Sequence, residues 1–251
     1  MDPGTTLTYR FQAGFVERYL WKITSETTID SPTEQSSDTS TLEIRVRELV
    51  VERTPQGGKV QILLTPVALS ENGFSGPPPQ PTTAELEILA TGRVGKVLKA
   101  ADLPPERIAA LELDRLLSET RPSLPAREVD PGRTWSAPLK SAGETTSIDM
   151  GGSGKLRGFV LREQRRLADV IVTRSGSVKT RQLVGRSNYN LEGRSTTATS
   201  ALIDIDRGTV FSSRSTSKTR FTIFLGEGRQ RSSAVGTVEV RLSSVLRRLP
   251  P

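Results

Sequence analysis

Apolar and polar residues alternate along most of the chain, which is the pattern of strands with one buried and one solvated face. Alternation is clearest at Leu42, Ile44 and Val46, which are separated by charged residues. The same spacing recurs in two earlier segments, whose apolar members are Leu7, Tyr9 and Phe11, then Tyr19, Trp21 and Ile23. These segments predict half-buried strands of an antiparallel sheet.

Turn-forming residues divide the chain into hairpins. Pro55-Gln56-Gly57-Gly58 separates two apolar runs and predicts a hairpin turn. Gly92 predicts another turn between strands at 84–90 and 93–99. Further strands are predicted in the second half at 155–164, 167–174 and 178–190, around the turn Asp206-Arg207-Gly208, at Phe221, Ile223 and Leu225, and at Val238, Val240 and Leu242. The pattern predicts about ten to twelve strands in total.

One helix is predicted at about 104–119. Asp102 is a candidate cap, Pro104 suits the first turn, and Pro122 prevents continuation beyond Arg121. Its apolar stripe consists of Ile108, Leu111, Leu113, Leu116 and Leu117. Such a stripe is typical of a helix that covers the open face of a sheet.

These elements predict a mainly β fold. We expect a large curved antiparallel sheet, or an unclosed β-barrel, with the helix packed on the open side. The chain 1–251 is interpreted as a single β-rich domain, with a division into halves 1–100 and 126–251, joined by the helical segment 101–125, as the alternative.

Two segments predict loops that could contact a protein partner. Residues 31–40, SPTEQSSDTS, are polar throughout and long enough for a mobile loop. Residues 70–83 are rich in Gly and Pro and predict a second loop or a lid.

The chain contains no Cys and no His. This excludes thiol nucleophiles, disulfides and imidazole bases, as well as zinc sites built on Cys or His. No arrangement of carboxylates or of Ser and Lys singles out an active site. We therefore expect a non-enzymatic protein without a metal or another cofactor.

The net charge is +7, from 35 Lys+Arg against 28 Asp+Glu. The basic residues are dispersed among acidic ones, as in the segment 43–48, whereas nucleic-acid binding usually concentrates them beside aromatic residues. Nucleic-acid binding is therefore the least favoured function. No apolar window reaches the roughly 18 residues that a membrane-spanning helix requires.

Two short motifs have the composition of ligand loops without their spacing. Gly151-Gly152-Ser153-Gly154-Lys155 lacks the first Gly and the final Ser or Thr of a phosphate loop, so it is interpreted as a flexible turn. Asp204-Ile205-Asp206-Arg207-Gly208 lacks the spacing of a calcium loop and is interpreted as a hairpin turn.

Three segments together resemble a group of bacterial exported domains of unknown function. They are Gly92-Arg93-Val94, the segment from Leu124 to Trp135 that contains Val129-Asp130-Pro131-Gly132, and the segment from Ala201 to Val210. The opening Tyr9-Arg10-Phe11-Gln12-Ala13-Gly14 is similar to the start of such domains but departs from it at Gln12-Ala13-Gly14. These domains are similar in build to the LolA/LppX-type lipoprotein carriers. The resemblance implies an unclosed barrel around a groove for a lipid, with a helix that plugs the open side, and it implies no catalytic residues.

Six residues are candidates for lining such a groove: Tyr9, Phe11, Tyr19, Trp21, Leu116 and Trp135. The alternative is that they are ordinary core residues, with Trp135 at the start of a strand. Both interpretations remain open at this point.

The favoured function is therefore a non-enzymatic extracytoplasmic β-domain that binds a lipid or another hydrophobic ligand. The alternative is a structural or interaction subunit of a membrane-associated or cell-surface assembly, which would use the loops 31–40 and 70–83. Met1-Asp2-Pro3-Gly4 leads directly into a strand-like segment, which fits an exported protein whose leader is absent from this sequence and fits a cytosolic protein too. With the resemblance, we expect a periplasmic, cell-surface or lipid-anchored location.

Overall fold

A computed structural model describes residues 5–32, 35–101, 117, 120–125, 127–142, 146–184, 187–225 and 234–250. Nearly all of these residues lie in antiparallel strands, and most strands belong to one large sheet that does not close into a barrel. The predicted fold class is confirmed. Because each long strand exposes alternate residues on opposite faces, the period of two in the sequence becomes one buried and one solvated face.

The strands within the described ranges are β1 (Thr5–Thr6), β2 (Val16–Asp30), β3 (Gln35–Thr54), β4 (Gly57–Glu71), β5 (Phe74–Gly76), β6 (Thr82–Leu89), β7 (Val94–Ala101), β8 (Glu128–Val129), β9 (Thr134–Ser136), β10 (Leu139–Ala142), β11 (Thr146–Arg162), β12 (Arg165–Val184), β13 (Ser187–Asp204), β14 (Thr209–Leu225) and β15 (Ala234–Arg248). The longest, β3 and β12, have 20 residues each and extend about 65 Å at the usual rise per residue.

The large sheet has 13 strands in the order β10-β11-β12-β13-β14-β15-β2-β3-β4-β6-β7, with β5 paired to β4 and β9 paired to β11. All its pairs are antiparallel, and neighbours in the sheet are mostly neighbours in the chain. The main exception is the pairing of β15 with β2, which joins the last strand to an early one. Strands from both predicted halves thus contribute to one sheet, although the division into domains stays a prediction.

The connection between β7 and β9 runs from one edge of the sheet to the other. β7 forms one edge, and β10 forms the opposite edge beside β11, to which β9 also pairs. The described part of this connection includes residues 120–125, which we name the bridging segment. It crosses between the two edges that would have to meet if the barrel were closed.

Buried residues on one face of the sheet, the inner face, form two apolar clusters. The first cluster combines inward-facing residues of the long strands with Leu7, Tyr9, Leu117, Leu124, Val129, Trp135 and Ala137. The second cluster lies further along the same strands and consists of Ile148, Met150, Val178, Leu191, Phe221 and Val238, with Ile29, Leu139, Tyr189, Ile223 and Val240 half-buried beside them.

Register shifts interrupt the long ladders and bend the strands. They occur between Leu156 and Gly158 in β11, and between Leu202 and Ile203 in β13. An extra residue in one strand increases local twist and curvature, which a long sheet needs if it is to wrap around its inner face.

Several turns lie where the sequence predicts them. β3 and β4 are joined at Pro55-Gln56, and Gly92, with a φ of 84°, lies between β6 and β7. Gly208, with a φ of 63°, completes the turn between β13 and β14. Gly is favoured at both positions because L side chains rarely adopt a positive φ.

The predicted loop at 31–40 is wrong over residues 35–40. β2 extends to Asp30 and β3 begins at Gln35, so residues 35–40 are paired with β2. Ser and Thr in this segment are tolerated in strands, where their hydroxyls remain solvated on the exposed end of the hairpin. The loop at 70–83 is confirmed only in part, because Phe74–Gly76 returns as β5 against β4.

The predicted turn at 151–155 is also wrong. These residues lie inside β11 and pair with β12 without interruption. The expected break between strands 167–174 and 178–190 is likewise absent, since β12 runs from Arg165 to Val184. Gly and Ser residues favour turns in short segments. Here they lie in the middle of long strands, where a Cβ at Gly152, Gly154 or Gly176 would collide with neighbouring atoms.

The predicted helix at 104–119 falls almost entirely outside the described residues, as does Leu116. Leu117 and Thr120 have helical backbone conformation, and the N–H of Arg121 donates to the carbonyl of Leu117 at 2.7 Å. The early segment at Leu7–Phe11 is not a strand, although Leu7 and Tyr9 are buried as their alternation predicts.

Candidate ligand-binding face

The aromatic residues singled out from the sequence gather in the first apolar cluster. Tyr9, Tyr19, Trp21 and Trp135 are all buried there, with exposed fractions of 8% or less, and Phe11 packs against them. Protein atoms surround these four side chains on nearly all sides. Their role as ligand contacts stays a prediction.

The bridging segment is fixed to both sides of the sheet by hydrogen bonds. On one side, the Tyr9 hydroxyl donates to the Pro122 carbonyl at 3.0 Å, and the Leu124 N–H donates to the Thr91 carbonyl at 2.9 Å. On the other side, Trp135 Nε1 donates to the Ser123 carbonyl at 2.9 Å. The segment therefore holds the two edges of the sheet in a fixed relation over the first cluster.

Arg174 of β12 strengthens this attachment from the inner face. Its Nε donates to the Ala137 carbonyl at 2.8 Å, and its Nη2 donates to the Ser123 hydroxyl at 3.0 Å. The side chain is buried, and charged donors to buried carbonyls make hydrogen bonds of more than average strength. Arg174 is not among the residues that the sequence singles out, although it stands at the inward position of the run Val170, Val172, Arg174, where a charge is unexpected.

Gly154 is required by the close approach of Trp135. A Cβ atom added at Gly154 would lie only 2.2 Å from the indole ring. The Gly-rich sequence that resembles a phosphate loop is therefore a place where a strand accepts a large aromatic side chain on its inner face. This is a packing function that periodicity does not reveal.

A buried ion pair closes the end of the first cluster. Arg121 Nη2 donates to Glu48 Oε2 at 2.5 Å, with both side chains at least 87% covered, and the guanidinium lies 5.4 Å from the centre of the Tyr9 ring. Burial raises the pKa of Tyr9 although Arg121 opposes the shift, so Tyr9 remains a neutral hydrogen-bond donor.

Glu17 lies opposite Glu48 in the register of β2 and β3 and belongs to a second group of charges. Its carboxylate accepts from Arg248 Nε at 2.7 Å, while Arg248 and Arg165 both pair with the buried Asp204. Burial raises the pKa of Glu17, with Arg248 and Arg207 opposing the shift. The group ties together β2, β12, β13 and β15 at one end of the sheet.

A band of small hydroxyl side chains separates the two apolar clusters on β13 and β14. Thr199 and Ser215 are hydrogen-bonded at 3.0 Å, and the Thr219 hydroxyl donates to that of Ser195 at 2.8 Å. All four are buried. Because these hydroxyls are hydrogen-bonded to one another across the strands, they tolerate burial.

The second apolar cluster has half-buried side chains beside its buried members, as the first cluster also has. Its members on β14 and β15, Phe221 and Val238, are buried. Ile29, Ile223 and Val240 pack beside them and are half-buried, and Leu225 at the end of β14 is 42% exposed. The inner face thus presents aliphatic side chains to solvent beyond the hydroxyl band.

Three cavities are defined by described residues. A cleft of about 380 Å³ is lined by Trp135 and Leu124 together with Arg93 and Arg127. A small space of about 20 Å³ adjoins Tyr9, Phe11 and the Glu48–Arg121 pair. A shallow depression of about 420 Å³ lies on the opposite, outer face of the sheet, among Thr24, Ala198, Thr216, Lys218, Arg241 and Ser243.

No family model matches the chain, and no curated protein matches it. Among solved structures, the chain is similar to lipovitellin, in a structure described as "Lipid-protein interactions in lipovitellin", at a TM-score of 0.55 and 15% identity. The match covers 96% of this chain and 26% of lipovitellin, so the chain spans about a quarter of that protein. It shows a shared fold.

Two proteins of Pseudomonas aeruginosa and Pseudomonas putida F1 match more weakly. OccK2 in complex with glucuronate has a TM-score of 0.29 at 8% identity, with 96% of this chain and 100% of that chain covered. The outer-membrane channel from P. putida F1 has a TM-score of 0.28 at 11% identity, with coverages of 99% and 100%. At these scores the likeness supports no argument about fold. No helix among the described residues is long and apolar enough to cross a membrane.

Proposed function

We propose that this protein is a non-enzymatic β-domain that binds a lipid or another hydrophobic ligand on the inner face of its sheet, at the second apolar cluster. The observation that carries the proposal is the half-exposure of aliphatic residues on the inner face of a sheet that is not closed. Apolar surface of this kind gains free energy when a ligand removes it from water.

The composition of the cluster favours an acyl chain over a polar ligand. Its members are aliphatic or aromatic, apart from the Tyr189 hydroxyl. The shared fold with lipovitellin, whose structure is described in terms of lipid–protein interactions, supports the same class of ligand. We also propose that the protein is located outside the cytoplasm, because its sequence resembles exported domains.

The test is native mass spectrometry of protein purified without detergent from its own cells. We expect bound species heavier than the bare chain, with the added mass assigned to a lipid after extraction. Val240→Asn on the inner face should reduce the bound fraction several-fold, because an amide placed at an apolar contact must be desolvated.

Val245→Asn is the matched control, since Val245 lies on the same strand, is also half-buried and faces the opposite side. It should retain the lipid. Bare protein alone in the spectrum, or equal loss in both variants, would refute the proposal.

A protein partner is the second candidate, and one observation favours it. Phe74, in the segment predicted as a partner loop, is 80% exposed beside the Asn72-Gly73 turn. A complex that co-purifies with the wild-type chain and is lost in Phe74→Ser, while the lipid content is unchanged, would support this function.

A further inference from the structure

Positive charges are concentrated on the outer face of the sheet, opposite the apolar clusters. Arg194 of β13 lies directly opposite Arg220 of β14, and Lys218 of β14 lies directly opposite Arg241 of β15. Glu239 of β15 lies opposite Arg220 and pairs with Lys218 at 3.1 Å and with Arg241 at 2.8 Å. Glu26 of β2 lies opposite Arg241 at the border of this group. We name the four cations and Glu239 the basic patch.

Like charges directly opposite each other in a sheet oppose folding. Backbones of paired residues are only about 5 Å apart, so Arg194 and Arg220 are held close together on the solvated face. Among the described residues, neither of these two guanidinium groups forms an ion pair. The nearby carboxylate of Glu239 pairs with Lys218 and Arg241 instead. Hydrogen bonds from Lys218 and Arg241 lower the pKa of Glu239, which therefore stays ionised without cancelling the patch.

Short side chains beside the patch allow a large partner to approach it. The depression of about 420 Å³ has Lys218, Arg241 and one carboxylate, Glu26, on its lining, with Thr196, Ala198, Thr216 and Ser243 between the strands. Charges at the rim of a surface lined by short residues can meet a partner without steric obstruction. An unfavourable pair such as Arg194 and Arg220 is typical of a functional site, where proteins accept a local loss of stability.

We propose that the basic patch docks this protein onto the surface of an anionic phospholipid bilayer. Phosphate groups of the lipids complement the free guanidinium groups in charge and in hydrogen-bonding geometry. The sheet continues on both sides of the patch at about 4.8 Å per strand, so it is too broad to enter a duplex groove of about 12 Å. The patch also has no aromatic residue on which an unpaired base would stack.

This docking goes beyond the proposed ligand binding, because it uses the opposite face of the sheet. A protein that exchanges lipid on its inner face gains from a second surface that holds it at the membrane. The two functions can therefore fail separately.

The experiment is flotation of the whole chain with vesicles of phosphatidylcholine alone and of phosphatidylcholine mixed with phosphatidylglycerol at roughly one lipid in three. We expect binding to the mixed vesicles only, weakening as salt is added. The double variant Arg194→Gln/Arg220→Gln should bind about 25-fold more weakly, because each cation near an anionic surface contributes about a factor of five.

The control variant is Lys96→Gln/Lys99→Gln, which removes two exposed cations from β7 at the edge of the sheet. It has the same net charge as the test variant and should bind within about twofold of the wild type, since distant exposed charges are largely screened. The test variant should unfold at or above the wild-type midpoint, because it removes two like charges that face each other. The control should lose at most about 1 kcal/mol per lysine, because Lys96 and Lys99 lie opposite Glu87 and Glu85. Folded protein in both cases keeps misfolding from explaining the result.

Three outcomes would overturn the proposal. One is absence of binding to the anionic vesicles, and another is equal weakening in the control variant. The third is tighter binding to duplex DNA than to vesicles at the same ionic strength, with the same sensitivity to the test variant, which would assign the patch to nucleic acid. Lipid found by mass spectrometry on a chain that does not float would refute docking and leave the ligand proposal standing.

Discussion

Substitution of Gly154 tests the packing that holds the bridging segment over the sheet. In Gly154→Ala, the new Cβ would lie 2.2 Å from the Trp135 indole, so the ring must move. Overpacking of this kind costs about 1–3 kcal/mol. Movement of the ring also weakens the hydrogen bond from Trp135 Nε1 to the Ser123 carbonyl, which contributes about 1 kcal/mol.

A gain in strand propensity opposes these losses. Replacing Gly with Ala in a strand stabilises by roughly 0.5–1 kcal/mol. We therefore expect Gly154→Ala to lower the free energy of unfolding by about 1–3 kcal/mol, measured by urea titration. The Trp fluorescence of the folded state should change as well, because Trp135 leaves its buried position.

Gly151→Ala is the matched control on the same strand. A Cβ at Gly151 meets no atom within 4 Å, and the residue faces solvent. It should leave the fluorescence unchanged and raise the stability by roughly 0.5–1 kcal/mol. If Gly154→Ala proved as stable as Gly151→Ala, the contact between Trp135 and β11 would not exist in solution.

Three further substitutions test the buried polar groups of the inner face. Arg121→Met leaves the Glu48 carboxylate buried without its partner and should cost about 3–5 kcal/mol in urea unfolding, whereas Arg121→Met/Glu48→Gln should recover part of that loss. Equal destabilisation of the two variants would argue against a buried pair. Thr199→Val leaves the Ser215 hydroxyl unsatisfied and should cost about 1–3 kcal/mol, while Thr199→Val/Ser215→Ala should be closer to wild type. An additive loss in that double variant would contradict the hydrogen bond. Glu17 has a pKa raised above its ordinary value of 4.5, so its contribution to stability is complete below about pH 4.5 and is lost as pH rises through the raised value. Urea titrations across that range should show stability falling with pH more steeply in the wild type than in Glu17→Gln, and parallel curves would contradict the shift.

Periodicity was sufficient to predict the class of fold. Positions such as Ile44 and Val46 alternate with charged residues, and the structure buries them on one face of β3. Turn residues with special backbone requirements, such as Gly92 and Gly208, also lie where they were expected. These features depend on local chemistry, which a single sequence contains.

Long strands of small polar residues were harder to predict. Residues 35–40 and 151–155 have the composition of loops, yet they pair with β2 and β12 through ladders of distant residues. Pairing of this kind depends on the register of the neighbouring strand, which local composition does not specify. The prediction of a break near residue 175 was wrong for the same reason, since β12 is continuous there.

The candidate site was only partly accessible to sequence reasoning. Burial of Tyr9 and Trp135 follows from their apolar character, but their anchoring to Pro122 and Ser123 depends on tertiary contacts. The inward charge at Arg174 could have been noticed from its position in the alternation. The position of Arg194 directly opposite Arg220 could not have been noticed from the sequence, because it depends on the register of β13 and β14.

Cross-linking of a bound acyl chain tests the central claim most directly. The chain would be loaded with a fatty acid that carries a photoreactive group near its end, and the labelled residues would be identified by peptide mass spectrometry. Labels on inward-facing positions of β14 and β15, around Phe221, Val238 and Val240, are the expected result. Labels confined to the outer face or to the cleft beside Trp135, with none on the second apolar cluster, would contradict the account.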